Sequence, residues 1–419
     1  MPSMVDAVVR AARQAATAGD WEAAERLWQE VRSVEPGHPQ ALLSLGIHSL
    51  RRGDIAQGYQ LLCAARAASP SDRLVLLTLS AACRERRDAA GEREAIDAAL
   101  TVDPYFLPAL LAKAGWIERH GSAAGAAATY ANALKIAPPQ THWPTELRPQ
   151  LEHACEAVGR HSKAFSAYLA EKLADLQAKL PPPVAERWRE AVSIMVGYSK
   201  PFLADCNQLH LPRLPAIPFF DRAQFPWLAA LEAKTDIIRG ELAAALDADR
   251  DRFTPYIAYN PGEPVNQWRD LNHSPRWSAL HLWRGGAPVQ ENLDRCPQTA
   301  EALAAMPMAD IGGLCPNALF SVLAPKTHIP PHHGETNARL VAHLPLVVPN
   351  GCRFRVGFEE RRWSIGEVLV FDDTIEHEAY NDSDEPRVVL IFDLWNPLLA
   401  SAERQMVRAT TAAAREFRG

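Results

Sequence analysis

The chain has 419 residues, which suits two domains better than one, and its 47% hydrophobic and 22% charged residues make an ordinary globular composition. The formal net charge of −6 argues against the basic footprint of proteins that bind nucleic acid or an anionic membrane surface. No apolar run approaches the roughly 20 residues of a membrane span, and the N-terminus has the pattern of an amphipathic helix, not of a secretory signal. The seven cysteines are scattered and include no CxxC pair, which favours free thiols and a cytoplasmic location over a zinc ribbon or a disulfide framework.

A 34-residue period runs through the first part of the chain. It is marked by prolines that each follow a helical segment: Pro36, Pro70, Pro104 and Pro138. Turn residues and small residues keep the same spacing, among them Gly19-Asp20, Gly53-Asp54, Gly46 and Ser80. This pattern resembles tetratricopeptide repeats, with a generic Ala-rich helical bundle as the alternative. We therefore predict a helical repeat domain over 1–160, whose stacked helices form a solenoid that holds a peptide or a protein.

The rest of the chain divides into a linker, a β-domain and a terminal helix. Residues 161–215 are predicted to be a helical and linker segment, interrupted by three prolines at 181–183. From about residue 250 the pattern changes to short apolar or alternating runs bounded by turn residues, which is typical of β-strands. The predicted strands are 318–325, 338–348, 352–358, 367–373, 377–381 and 387–395. They favour a sandwich, a jelly roll or a barrel for a domain over 216–400, and 401–419 is predicted to return to helix.

Three residues of the second domain have the pattern of a non-haem iron oxygenase. Such a site uses two neutral imidazoles, provided here by His332 and His377, and usually a carboxylate two positions after the first histidine. That position is Gly334, so the carboxylate is missing. The site also needs a cation on a nearby strand, and Arg387 stands ten residues after His377 at the start of an apolar strand. Arginine suits the distal carboxylate of 2-oxoglutarate because its planar fork makes two parallel hydrogen bonds.

The surrounding sequence, GETNARLVAHLPLVVPNGCRFRVG followed by RRWSIGEVLVFDDTIEHEAYNDSDEPRVVLIFDLWNP, carries a wider similarity. It resembles the aspartyl/asparaginyl β-hydroxylase family from about residue 253 to 397. The resemblance implies a double-stranded β-helix of the jelly-roll or cupin kind. The expected fold class is therefore α + β in two domains, a tetratricopeptide-like α-helical solenoid followed by this catalytic domain. It also implies Fe(II) held by His332 and His377, with Gly at the carboxylate position, and 2-oxoglutarate and O2 as cosubstrates.

Further site residues follow from the same resemblance. It implies that Arg387 and Ser321 contact 2-oxoglutarate, and that His343 and Trp283 are its neighbours. One position departs from the family pattern, because animal members carry an arginine two residues before the histidine at 343 and this chain has Val341.

Other candidates follow from the residues themselves. Asp373 precedes His377 on one strand-and-turn unit, where a carboxylate can orient a ligand imidazole or hold an iron-bound water. Strand alternation predicts that Arg339 and His343 share the face that lines the barrel interior. Arg339 is a candidate for gripping an acidic group of the substrate, with a structural ion pair as the alternative.

Two more histidines flank the predicted site and are not expected to be ligands. His333 should point away from His332, towards the substrate or a structural role. His328 is expected either to support the site or to lie at the surface.

Together these features predict an Fe(II)- and 2-oxoglutarate-dependent dioxygenase that hydroxylates a peptide or protein, at the β-carbon of Asp or Asn residues. The repeat array would capture that target and raise its concentration at the iron. Three alternatives remain: a lipid or small-molecule hydroxylase of the same fold, a halogenase that places chloride where the carboxylate is missing, and a repeat scaffold with an inactive β-domain. No nucleic-acid partner and no membrane span are expected.

Overall fold

The computed structural model describes residues 4–418, so the outermost ends of the predicted terminal domains, 1–3 and 419, lie outside the described residues. The chain forms two compact units that divide between Tyr198 and Ser199. Across residues 4–418 we find no helix with both the length and the apolar character needed to cross a membrane.

The first unit is entirely helical. Its helices pack against their sequence neighbours in pairs, and the last two follow the paired array. Their bounds are α1 (Met4–Thr17), α2 (Trp21–Val34), α3 (Pro39–Arg51), α4 (Ile55–Ala68), α5 (Arg73–Glu85), α6 (Ala89–Val102), α7 (Leu107–His120), α8 (Ala123–Ile136), α9 (Arg148–Gln177) and α10 (Pro182–Met195). Helix α9 runs without a break through residue 160, where we predicted a boundary, and the unit continues to Tyr198.

The 34-residue period is built into the helix caps. The second helix of each pair is preceded by a side chain that accepts a hydrogen bond of 2.9–3.0 Å from the backbone N–H three residues later: Asp20, Asp54, Asp88 and Ser122. These caps satisfy N–H groups that the first turn of a helix leaves without partners, and each contributes about 1 kcal/mol. The repeating helix pairs confirm the prediction of a tetratricopeptide-like array.

The small residues mark close helix contacts. A Cβ on Gly46 would lie 2.8 Å from Leu62 Cγ, and one on Gly58 would lie 2.8 Å from Leu50 Cδ2. Helices α3 and α4 therefore approach at a distance that only glycine allows at these two positions.

The second unit contains two antiparallel β-sheets with helices around them. Its helices are α11 (Leu228–Glu232), α12 (Thr235–Ala248), α13 (Gln290–Leu293), α14 (Pro297–Ala304) and α15 (Ser401–Arg418). Its strands are β1 (Thr254–Pro255), β2 (Trp277–Arg284), β3 (Ala287–Pro288), β4 (Ala318–Leu323), β5 (Thr327–His332), β6 (Arg339–Val347), β7 (Cys352–Val356), β8 (Glu359–Arg361), β9 (Leu369–Phe371), β10 (His377–Asn381) and β11 (Arg387–Trp395). All six predicted strands are present with small differences at their ends.

Among the described residues, the larger sheet has the order β1-β2-β4-β11-β6-β9, with β3 beside β2, and the smaller has the order β5-β10-β7-β8. This is an antiparallel domain of the jelly-roll or cupin kind, as predicted. Alternate residues of strand β6 pack into two different hydrophobic cores. Leu340, Ala342 and Leu344 pack into a core with α12 and α14, while Val341 packs into the core between the sheets.

A segment before the β-domain, residues 205–211, lies along the loop that follows β5. Asp205 N–H donates to the Thr374 carbonyl at 2.8 Å, and Asn207 N–H donates to the Gly334 carbonyl at 3.1 Å. The backbone of Leu211 exchanges two hydrogen bonds of 2.8 Å with the Asn337 side chain. We call residues 205–211 the strap, because they hold the loop 334–337 in place.

Candidate active site

A cavity of about 450 Å³ lies between the two sheets of the second unit. Strands of both sheets line it, and it brings together most of the residues predicted from the sequence: His332, Arg339, His343, Asp373, His377, Arg387 and Ser321. One part is closed, because Arg387 and Ser321 are each 1% exposed. The other part opens to solvent past Tyr256, which is 39% exposed.

His332 and His377 are direct cross-strand partners on β5 and β10, and their ring centroids are 4.0 Å apart. Each ring is oriented by its own strand, since His332 Nδ1 is 2.8 Å from the Pro330 carbonyl and His377 Nδ1 is 3.1 Å from the Ile375 carbonyl. A carbonyl can only accept, so each Nδ1 carries the proton and each neutral ring has its lone pair on Nε2. Burial lowers the pKa of His332 to about 3 and that of His377 to about 4, which keeps both rings neutral. Metal–imidazole bonds are about 2.0–2.1 Å long, so rings at this separation can share one ion.

The space beside Gly334 is filled by the carboxylate of Asp373. A Cβ on Gly334 would overlap the carboxylate oxygens and Cγ of Asp373, and the Gly334 N–H donates to the Asp373 carbonyl at 2.7 Å. Oδ2 of Asp373 accepts from Arg339 Nη1 at 2.8 Å, while its buried Oδ1 has no hydrogen-bond partner among residues 4–418. An acceptor in this state fits a donor that arrives with a bound ion, such as a metal-bound water.

The protein ligands of an ion here would be few. Within the described part of the chain, no group of three or more His, Cys, Asp or Glu side chains is arranged to hold a metal. The donor set is therefore the two imidazoles, which suit Fe(II) when a chelating cosubstrate supplies further ligands and open positions remain.

Arg387 is a buried cation, and no carboxylate among residues 4–418 forms an ion pair with it. Its Nε and Nη1 atoms have no hydrogen-bond partner in the described residues, and its Cζ lies 4.8 Å from the ring centre of Trp363. Burial lowers the pKa of Arg387 to about 10, and the side chain keeps its charge at neutral pH. A buried guanidinium in this state costs several kcal/mol unless an anion joins it, so the site fits a carboxylate ligand.

Two more residues surround Arg387 in the closed part of the cavity. Ser321 lies on β4, opposite Val389 of β11, and its Oγ accepts from Trp277 Nε1 at 3.1 Å. His343 Nδ1 accepts from Trp363 Nε1 at 3.4 Å, so the neutral ring carries its proton on Nε2. Burial lowers the pKa of His343, and the positive charge of Arg387 lowers it further.

Trp283 does not belong to this group, and the prediction of a cosubstrate neighbour at this position needs correction. A β-bulge between His281 and Trp283 shifts the register of β2, so that Trp283 stands opposite Ala318 and packs on the outer core. Trp277 of the same strand lines the cavity instead. It stacks on Tyr256 with ring centroids 4.1 Å apart.

Arg339 lies in the cavity, but carboxylates already surround it. Its Nη1 bonds Asp373 at 2.8 Å, its Nη2 bonds Glu335 at 3.3 Å, and its Nε is 3.5 Å from Asp393 Oδ1. Asp393 also accepts two hydrogen bonds from Asn317. The geometry matches the structural ion pair that was the alternative for Arg339, and differs from a guanidinium held ready for an acidic substrate.

The two flanking histidines have separate places. His333 Nδ1 donates to the Thr374 carbonyl at 2.9 Å, and the ring lines the cavity. His328 stacks on Tyr380 with ring centroids 3.9 Å apart and bonds Glu378 at 2.8 Å, outside the cavity.

Comparison with known proteins finds a protein-family match within the second unit. The family model for aspartyl/asparaginyl beta-hydroxylase matches residues 232–397. Aspartate beta-hydroxylase domain-containing protein 2 of Homo sapiens is 35% identical over 213 residues, which cover 49% of this chain and 55% of that protein. The chain thus spans about half the length of this relative.

Two further similarities concern a bacterial relative and the repeat array. The ornithine lipid ester-linked acyl 2-hydroxylase of Rhizobium tropici is 33% identical over 202 residues, 48% of this chain and 68% of that protein. A thermophilic tetratricopeptide-repeat protein of Thermus thermophilus with a solved structure is 21% identical, with a TM-score of 0.33. That similarity covers 46% of this chain and 99% of the other.

Proposed function

The chain belongs to the aspartyl/asparaginyl β-hydroxylase family, and we propose that it is an Fe(II)- and 2-oxoglutarate-dependent hydroxylase. The observation that carries the proposal is that one cavity contains two neutral imidazoles and a buried guanidinium whose Nε and Nη1 have no hydrogen-bond partner among residues 4–418. When bound, iron, 2-oxoglutarate and O2 supply the oxidising chemistry, and the protein supplies position and electrostatics.

In this proposal His332 and His377 hold the metal through Nε2, because their Nδ1–H groups already donate hydrogen bonds to backbone carbonyls. Asp373 is the proposed acceptor for a water on the metal through Oδ1. In the proposal this carboxylate lies beside the metal and is not one of its ligands. It has room there because Gly334 has no side chain.

Arg387 and Ser321 are the proposed contacts of the distal carboxylate of 2-oxoglutarate. The two residues are buried in the closed part of the cavity, where a charge-assisted hydrogen bond is strong. His343 presents an Nε2–H donor to the same part, and Trp277 fixes the Ser321 hydroxyl. We no longer propose a contact from Trp283.

The proposed substrate is a peptide or protein, hydroxylated at the β-carbon of an Asp or Asn residue. A groove of about 560 Å³ on the repeat array, lined by α5, α7 and α9 among others, supports capture of a peptide. A lipid is the second candidate, because the relative from Rhizobium tropici is named for hydroxylation of a lipid acyl group. We keep the cytoplasm as the proposed compartment, since all seven cysteines are free thiols.

Halogenation is the weaker alternative. A halogenase needs room for chloride at the position of the missing carboxylate. The space beside Gly334 already contains the carboxylate of Asp373, whose charge would repel a halide.

The decisive experiment measures Fe(II)-dependent conversion of 2-oxoglutarate to succinate. We expect conversion by the wild type and its loss in His377→Ala. The matched control is His328→Ala, which removes a histidine of the neighbouring strand outside the cavity and should leave conversion unchanged. Wild-type protein that binds Fe(II) but never forms succinate would favour the inactive scaffold.

A further inference from the structure

One buried tryptophan in an otherwise exposed loop contacts the closed part of the cavity. Trp363 belongs to the connection between β8 and β9, and it is only 5% exposed although the residues on either side of it are exposed. In the same loop the Gly366 N–H donates to the Pro345 carbonyl of β6 at 3.0 Å. The loop is therefore attached to the strand that carries His343, and the side chain of Trp363 is directed inward.

Trp363 contacts two residues that are proposed to face the cosubstrate, Arg387 and His343. Arg387 Cζ lies over the Trp363 ring, 4.8 Å from its centre, and a π face at this distance attracts a cation. Trp363 Nε1–H donates to His343 Nδ1 at 3.4 Å. Arg387 and His343 line the cavity, whereas Trp363 is not among its lining residues. Any effect of Trp363 on a molecule bound in the cavity must therefore pass through these two neighbours.

The hydrogen bond from Trp363 decides which nitrogen of His343 carries the proton. An indole N–H can only donate, so Nδ1 of the neutral imidazole must be the acceptor and the proof of its state is a proton on Nε2. His343 Nε2 has no hydrogen-bond partner among residues 4–418, and the ring lines the cavity. The closed part thus presents an N–H donor. The other tautomer would present a lone pair, which a carboxylate cannot use.

The alternative role of Trp363 is that of a core residue. It packs in the core between the sheets, where Phe354 stacks on it with ring centroids 5.2 Å apart. A purely structural tryptophan would stabilise the fold without needing to bond an imidazole that lines the cavity. Phenylalanine at position 363 separates the two roles, because it keeps an apolar aromatic ring and removes the donor.

We propose that Trp363 is a positioning residue for the cosubstrate, whose Nε1–H holds His343 in the tautomer that donates from Nε2 to a carboxylate of 2-oxoglutarate. This inference rests on the proposed hydroxylase function and adds a residue to it. In Trp363→Phe the Nδ1 atom of His343 loses its donor, so the tautomer with the proton on Nδ1 becomes populated. The affinity for 2-oxoglutarate should then fall by about threefold to tenfold, which corresponds to one lost hydrogen bond.

The first experiment needs neither metal nor cosubstrate. Isotope labelling of the histidine ring nitrogens in the full-length protein allows NMR to report the tautomer of His343, whose signals are identified by their absence in His343→Phe. We expect a single tautomer with the proton on Nε2 in the wild type, and a second one with the proton on Nδ1 in Trp363→Phe. A wild type with the proton on Nδ1, or an unchanged single tautomer in Trp363→Phe, overturns the inference.

The second experiment measures the binding of 2-oxoglutarate by calorimetry to full-length protein loaded with Zn(II), which prevents turnover. Trp363→Phe alone should weaken binding by about threefold to tenfold. Adding Trp363→Phe to His343→Phe should cause no further loss, because the effect passes through His343. Equal losses in the two backgrounds would show that Trp363 does not act through His343, and would overturn the inference.

Trp395→Phe is the matched control. Trp395 is also buried, donates from Nε1 to a side chain (Asp310 Oδ1, 3.0 Å) and lies near a guanidinium, that of Arg408, but it does not line the cavity. Its variant should leave the affinity for 2-oxoglutarate unchanged. A loss as large as that of Trp363→Phe would indicate a general loosening of the fold and overturn the inference.

The inference and the proposed function fail in different ways. Binding of 2-oxoglutarate by the wild type that Trp363→Phe does not weaken would overturn the inference alone. Metal-loaded wild type that does not bind 2-oxoglutarate would refute the proposed function itself, and with it the role of Trp363 towards the cosubstrate.

Discussion

The carboxylate of Asp373 occupies the space that a side chain on Gly334 would need. The absence of a carboxylate two residues after His332 is therefore matched by a carboxylate from the turn between β9 and β10. The two positions cannot both carry side chains without rearrangement of the loop that follows β5.

Substitution of Gly334 is expected to damage the site even when the new residue is a potential ligand. Gly334→Ala should lower the free energy of unfolding of the second unit by about 1–3 kcal/mol, because the added Cβ overlaps Asp373. Gly334→Asp should lose succinate formation as well, because it adds a like charge at the same place. Hydrogen exchange of β5 and β10 and the succinate assay measure the two effects.

Gly240→Ala is the control for this pair, because nothing lies within 4 Å of the Cβ it would add. It lies inside α12, where Ala is favoured over Gly by up to about 1 kcal/mol. A Gly334→Asp variant with full activity would contradict our account of the loop.

Removal of the buried charge at Arg387 is expected to stabilise the fold while it weakens cosubstrate binding. Arg387→Met should raise the free energy of unfolding of the cosubstrate-free protein by about 1–4 kcal/mol, because it replaces an uncompensated buried cation with an apolar side chain. We expect 2-oxoglutarate to stabilise the wild type against thermal unfolding, and the same variant should lose this stabilisation. Thermal unfolding with and without 2-oxoglutarate measures both.

Arg353→Met serves as the comparison, since Arg353 is 41% exposed and paired with Glu360 and Asp382 at the surface. A change below about 1 kcal/mol is expected there. If Arg387→Met kept its response to 2-oxoglutarate, the cosubstrate would have to bind elsewhere.

The two tryptophans of β2 should behave differently. Trp277→Phe keeps a ring against Tyr256 but removes the hydrogen bond to Ser321, so the KM for 2-oxoglutarate should rise about threefold to tenfold with little change in kcat. Trp283→Phe should leave the KM unchanged, because Trp283 packs on the outer core. Steady-state kinetics with varied 2-oxoglutarate tests both, and a KM effect confined to Trp283→Phe would reverse the assignment.

Asp372 should make stability depend on pH. Desolvation, reinforced by the charge of Asp373, raises the pKa of Asp372 from 3.8 to about 6. The folded state holds this proton more tightly than the unfolded state. The stability that Asp372 contributes to the fold is therefore fully present below pH 3.8 and is lost as the pH rises through about 6. Asp372→Asn keeps an acceptor for the N–H and hydroxyl of Thr374 and removes the titration.

The stability advantage of Asp372→Asn over the wild type is therefore expected to grow by roughly 1–2 kcal/mol between about pH 5 and about pH 8. Denaturant unfolding at a series of pH values measures it. Asp384→Asn on an exposed loop is the control, and an advantage that shrinks with rising pH would contradict the sign.

Much of the architecture follows from local patterns in the sequence. The period of the caps at Asp20, Asp54 and Asp88 predicts the array, because each helix start needs the same side-chain acceptor. The alternation in β6 predicts that Val341 and His343 face the cavity. The site pair of His332 and His377 could be predicted because both its spacing and its sequence context are specific.

Other features could not be predicted because they depend on long-range contacts. Strand β5 contains Pro330 and Pro331, which usually argue against a strand, but it is an edge strand of the smaller sheet, where missing donors are tolerated. Strict alternation along β2 would place Trp283 in the cavity, and only the bulge turns it outward. Glu335 is only four residues from Arg339, but Asp373 and Asp393 are far from it in the chain, and no local pattern predicts that these two acids will surround it.

The strap has a practical consequence for anyone who isolates the catalytic portion of this protein. The family match begins at residue 232, yet backbone N–H groups within residues 205–220 donate to the carbonyls of Thr374, Gly334, Glu335 and Val370. A fragment cut at 232 would leave those carbonyls to solvent and free the loop beside His332 to move. A fragment that starts at Ser199 keeps these bonds, so the catalytic domain begins well before the point where its recognisable sequence does.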